Sequence, residues 1–263
     1  MLRKLLKYET KATARLFIPL YFAVLIFAVA NKLLNPFGAF ETLTNLNLHI
    51  ILSFISYFIY FALIISIIVM TFVIMIQRFY KNLLGDEGYL MFTLPVKTWK
   101  HIVSKILVAM MWIILSFLTV LYSILILVDT SIVLRELPNI FKLFIDNFGY
   151  TGLIIMPLYA LIASASNIIM IYAAIALGHL IPKHKLLASF GMYGILYIAY
   201  QTILTLFIFA FKNTIFASII SSTTPTPSMV NTFLISLALI STVLIMGHFI
   251  LINFTLKKKL NLE

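Results

Sequence analysis

Few residues in this chain are placed to do chemistry. The polar residues inside its apolar runs are Asn167, His179, Gln201, His248 and Asn253, with scattered Ser and Thr. Nucleophilic catalysis needs a base beside its nucleophile. The sequence has neither a His-Glu-x-x-His pair nor a Gly-x-Ser-x-Gly turn. Cysteine is absent, which removes disulfides, thiolate metal sites and a cysteine nucleophile. No Asp, Glu, Lys or Arg falls near the middle of an apolar run. Ionisable groups there usually mark proton relays or ion sites, so a self-powered carrier is disfavoured. His179 and His248 read as interhelical or headgroup hydrogen-bonding groups near the ends of their runs. The expectation is no catalytic residue, no metal site, no resident cofactor and no enzyme activity in this chain.

Dense polar chemistry occurs once, between Gln77 and His101. Gly85-Asp86-Glu87-Gly88 is a turn signal. Pro95 suits the first turn of a helix. After it, Lys97, Lys100, His101 and Lys105 share one face, and Val96, Trp99, Ile102, Val103 and Ile106 share the other. The expected element is a helix-turn-helix on the membrane surface, with the charged edge toward the cytosol.

The elements that position this segment follow from composition. Of 263 residues, 63% are hydrophobic and 10% charged. A soluble domain carries about 25% charged residues, so most of this surface must face lipid. A helix needs about 20 apolar residues to cross a bilayer. Six runs qualify, at about 16–34, 48–76, 102–128, 150–181, 186–211 and 229–256. The chain therefore reads as one all-α, polytopic transmembrane domain over residues 1–263. Basic residues mark cytoplasmic loops. With the N-terminus inside, the inner segments hold fifteen basic and four acidic residues, and the outer segments four of each. The whole net charge of +11 then lies on one side, with both termini inside. Those basic residues lie between apolar runs, which argues for topology and against nucleic acid. The expected location is the cell membrane.

Two amphipathic stretches flank the spans. In residues 1–15, Lys4, Lys7, Lys11 and Arg15 form one basic stripe, and Leu2, Leu5, Leu6 and Ala12 fall away from it. That pattern reads as an interfacial helix with its cations toward anionic lipid. In residues 131–148, Leu134, Leu137, Phe141, Phe144 and Phe148 recur at helical spacing, as in a second interfacial helix. The fourth span is rich in small residues, among them Ala173, Ala174 and Ala176, which lets helices approach closely.

The segment after the second span resembles the membrane subunits of ABC-2-type ATP-binding-cassette exporters. The positions that carry the likeness are Glu87-Gly88, Leu94-Pro95-Val96, Lys97 and Lys105. Asp86 departs from the family, which often has a basic residue there. The loop between the fifth and sixth spans is short for it. The resemblance implies a permease of six spans whose 77–101 segment is a coupling loop. Asp86, Glu87, Gly88, Leu94, Pro95, Val96 and Lys97 would then meet a cytoplasmic ATPase subunit. It also implies a second copy or a related permease, and ATP and Mg on the partner only. No Gly-x-x-x-x-Gly-Lys-Ser/Thr phosphate loop occurs in this chain. Spans without buried charge suit a hydrophobic or amphipathic cargo such as a peptide, lipid or drug. The alternative is a non-transporting assembly or sensor subunit that binds a cytoplasmic partner. Abundant Ile, Lys, Asn, Phe and Tyr fit an AT-rich bacterial genome.

Overall fold

The computed structural model describes residues 2–34, 48–85, 88, 91, 93, 96–181, 183–211 and 226–258. Six helices follow in order: α1 Leu2–Leu34, α2 Leu48–Leu83, α3 Thr98–Leu127, α4 Thr130–Gly178, α5 Lys185–Phe211 and α6 Pro227–Lys258. Among the described residues there is no strand. All six helices are long and apolar enough to cross a membrane. The shortest, α5, has 27 residues. At 1.5 Å per residue it is about 40 Å long, more than the ~30 Å hydrocarbon core. Large apolar side chains point outward: Phe22 is 62% exposed, Phe58 70%, Phe117 65% and Phe190 75%. Lipid, not water, is the solvent that suits them. This is the architecture of a multi-pass membrane protein.

The expected interfacial helix at 1–15 and the first span form one uninterrupted helix, α1. No Gly or Pro separates them, and Pro19 lies inside α1 past the basic stripe. Lys4, Lys7, Lys11 and Arg15 are all exposed, while Leu2, Leu5, Leu6 and Ala12 are half-buried.

The chain divides into two compact units, one of Met1–Met75 with Leu107–Pro138 and one of Ile76–Ile106 with Asn139–Glu263. In the first unit, α1 buries Phe17, Val24, Ala28 and Asn31 along one face. Phe17 packs with Ile74 and with Val108 and Trp112 of α3. The Phe17 and Trp112 rings stack with centroids 4.3 Å apart. Hydroxyls form a polar seam beside this core. The Trp112 indole N–H donates to Thr13 Oγ1 at 2.7 Å. Ser116 Oγ bonds Tyr21 Oη at 2.8 Å and Thr71 Oγ1 at 3.1 Å. Tyr60 Oη bonds Ser123 Oγ at 2.9 Å. In lipid the hydrophobic effect does not draw helices together, so packing and such bonds, about 0.6 kcal/mol each, hold them.

The second unit contains the kink that divides α4. Gly149 has φ 66° and ψ 175°, a non-helical conformation that L side chains rarely adopt. The helix before it covers the amphipathic 131–148 stretch, and the helix after it matches the fourth span. Asn231 of α6 secures the break. Its Nδ2 donates to Phe148 O and to Thr151 Oγ1, each at 2.8 Å. The carbonyl left over by the kink thus has a partner. Toward its end α4 buries Ile168, Ile169, Tyr172, Ala173, Ala174 and Ala176. The expected close packing of small residues holds for this half, whereas Ala160 is exposed. A Cβ added at Gly178 would run into the Ser189 backbone, so this glycine permits α4 and α5 to touch.

Candidate functional site

Within the second unit, α2 continues past Ile76 to Leu83. These last turns bury Phe79, Asn82 and Leu83. The Phe79 ring stacks on Tyr172 of α4, with centroids 4.1 Å apart and 8° between planes. Both side chains are at most 2% exposed. Tyr80 meets the edge of His179 at 5.9 Å.

The helix then closes in a defined turn. The N–H groups of Leu84 and Gly85 both donate to Tyr80 O at 2.9 Å. Gly88 N–H donates to Gly85 O at 2.8 Å. A Cβ at Gly85 would sit 3.1 Å from Lys81 O, which explains glycine there. Gly88, Met91 and Thr93 have helical backbone, and Gly88 is buried. The two described ends of the expected 85–88 turn, Gly85 and Gly88, are therefore hydrogen-bonded to each other. Asp86, Glu87, Leu94 and Pro95 lie outside the described residues. Val96 is half-buried, and Lys97 is exposed immediately before α3. Lys100 N–H donates to Lys97 O at 2.9 Å as α3 opens.

One expectation needs correction. The charged edge Lys97, Lys100, His101 and Lys105 does not face solvent as a unit. His101 is 1% exposed and Lys105 4% exposed, and each has an interaction partner. Ser104 joins them in the interior and donates to His101 O at 2.8 Å. Conversely, Trp99, expected on the apolar contact face, is 40% exposed. The Lys100 ammonium lies 5.6 Å from its ring, in cation–π range. Helical spacing identifies shared faces but not which face a neighbour covers. The covered face of α3 at this end is the one that carries His101, Ile102 and Lys105.

Near the same ends, a cleft of about 380 Å³ is lined by residues including Ile76, Tyr80, Lys81, Ile175, Leu186 and Phe190. His179 lies just past the end of α4. Lys185 Nζ donates to His179 Nε2 at 3.4 Å, which leaves the ring proton on Nδ1. Burial pushes the imidazole below its ordinary value of 6.5, and the neighbouring Lys185 ammonium adds to the effect. Of the polar residues inside the spans, Asn167 donates to Ala163 O at 3.0 Å and Gln201 to Tyr197 Oη at 2.9 Å. Both are exposed, and these bonds lie within their own helices. Among the described residues, no group of three or more His, Asp or Glu could hold a metal ion.

No family model, curated protein or solved structure matches this chain. The site therefore rests on its own geometry. That geometry is an anchored turn: an extension of α2 locked to α4, a tight glycine closure, and an exposed lysine at the start of α3. The glycines at 85 and 88 and the exposure of Lys97 were readable in the sequence, but the Phe79–Tyr172 stack was not. An aromatic residue at the end of an apolar run carries no mark of its distant stacking partner.

Proposed function

We propose that this chain is the permease subunit of an ATP-binding-cassette exporter and that its 77–101 segment docks a separate cytoplasmic ATPase. The supporting observation is the packed turn. A topology loop needs only charge, but here Gly88 is buried and Phe79 is locked onto Tyr172. A push on such a turn moves α4 with it, because packed interiors transmit displacement. Lys97 remains exposed, in reach of an acidic groove.

In this reading the termini and the 77–101 segment are cytoplasmic, the chain lies in the cell membrane, and it works with a second copy or a related permease. ATP and Mg bind the partner ATPase. Closure of the ATPase dimer displaces the turn and shifts α2 and α4, and the cargo path alternates between inward and outward access. The cargo is hydrophobic or amphipathic.

The chain lacks cysteine, so a single Lys97→Cys variant carries one thiol. The test is a short bifunctional cross-linker applied to this variant with the phosphate-loop ATPase encoded beside it. A cross-linked pair formed at position 97 and absent for a control Cys at Leu239 supports docking. Equal cross-linking at both positions, or none at either, refutes it.

A further inference from the structure

In the first unit, a cavity of about 830 Å³ opens among α1, α2 and the α3–α4 junction. It is within the size range of small-molecule sites. Much of its wall is apolar, including Phe61, Ile64 and Ile124. Asn31, Lys32 and Asp129 interrupt that wall, and Tyr57 and Tyr60 line it as well.

Asn31 is fully buried. Its Nδ2 donates to Ser56 O at 3.3 Å, while its Oδ1 has no hydrogen-bond partner among the described residues. That oxygen is closed off from a ligand, so Asn31 shapes the wall without contacting an occupant. Lys32 and Asp129 are opposite charges lining the same cavity. Among the described residues, neither forms an ion pair, whereas Arg135 is paired with Glu136 at 3.2 Å. The cavity thus presents one anion, the Asp129 carboxylate, one cation, Lys32, and a largely apolar wall.

We infer that this cavity binds a zwitterionic phospholipid whose headgroup carries a primary ammonium. The ammonium supplies N–H donors to the Asp129 carboxylate. The phosphate pairs with Lys32. The acyl chain lies along Phe61, Ile64 and Ile124. A trimethylammonium headgroup has no N–H to offer, and an anionic headgroup without an amine leaves Asp129 without an ammonium donor. This site goes beyond the proposed transport role and does not depend on ATPase docking.

The test is native mass spectrometry of the purified full-length chain with dioctanoyl phosphatidylethanolamine, phosphatidylglycerol and phosphatidylcholine. The ethanolamine lipid should bind about tenfold tighter than either of the others, the ratio expected for one charge-assisted bond. Asp129→Asn and Lys32→Gln alter exposed side chains, so the fold should tolerate them. Each should reduce ethanolamine-lipid binding by a similar factor. Equal binding of all three lipids, binding of none, or wild-type binding by both Asp129→Asn and Lys32→Gln would overturn the inference.

Discussion

Phe79 of α2 and Tyr172 of α4 lie face to face at 4.1 Å, although they are far apart in sequence. The stack ties the last turns of α2 to the most buried stretch of α4. Replacing Phe79 with Ala should lower the unfolding free energy by about 3 kcal/mol, the usual cost of truncating a buried aromatic ring. Trp99→Ala, at a residue 40% exposed, should cost much less. Thermal unfolding of the two variants in one detergent would show the difference. Equal melting temperatures would mean that the stack does not anchor the turn.

Asn231 spans the kink in α4 with two bonds from one amide. Asn231→Leu removes both and leaves Phe148 O without that donor. A loss of about 2 kcal/mol is expected, because a partly buried acceptor then goes unmet. Gly191→Ala provides a control, since a Cβ there meets nothing within 4 Å. It should be neutral or slightly stabilising, by up to about 1 kcal/mol, as alanine favours helix. The same thermal assay checks both.

His179 gives the fold a pH dependence. Its folded-state value is depressed, by burial first and by Lys185 second. Below the ordinary value of 6.5 the unfolded chain therefore binds the proton more readily than the folded one. The contribution is fully present above that value and is lost as pH falls through the depressed one. Unfolding measured about one pH unit above and one below the ordinary histidine value should show wild type losing more stability on acidification than His179→Gln. Parallel losses in the two proteins would contradict this.

Orientation is open to chemical labelling. In a protein without cysteine, a single Cys at Thr224 should react with an impermeant reagent added outside intact cells. One at Lys183 should react only after permeabilisation. The reverse pattern would invert the topology on which a cytoplasmic turn depends.

The helices were legible because lipid demands long apolar runs, and all six runs became helices. Boundaries followed local signals less well. Apolar content alone stops the second run near Ile76, where Gln77 and Arg78 begin the polar segment. The helix nevertheless continues through Arg78 and Lys81, because one face of that extension, Phe79 and Leu83, is buried. The 1–15 stripe and the first span merged because nothing between them breaks a helix. The kink at Gly149 fell where the amphipathic stretch met the fourth span. Asn231 gave no signal, because near the start of α6 it resembles any polar residue at a helix end, and its use is set by a carbonyl 83 positions away. His101 and Lys105 share a face with Lys97 by spacing, but their burial is decided by distant packing. The turn itself was readable because Gly85 answers a local steric demand.

Coupled ATP hydrolysis tests docking most directly. The chain is reconstituted with the ATPase encoded beside it, and turnover is compared for wild type and Lys97→Glu. Reversing an interfacial charge should weaken assembly and lower coupled hydrolysis by about tenfold or more, without lowering the melting temperature of the isolated chain. Unchanged assembly and unchanged hydrolysis in Lys97→Glu and in Glu87→Gln would contradict the claim that this turn is where an outside energy source attaches.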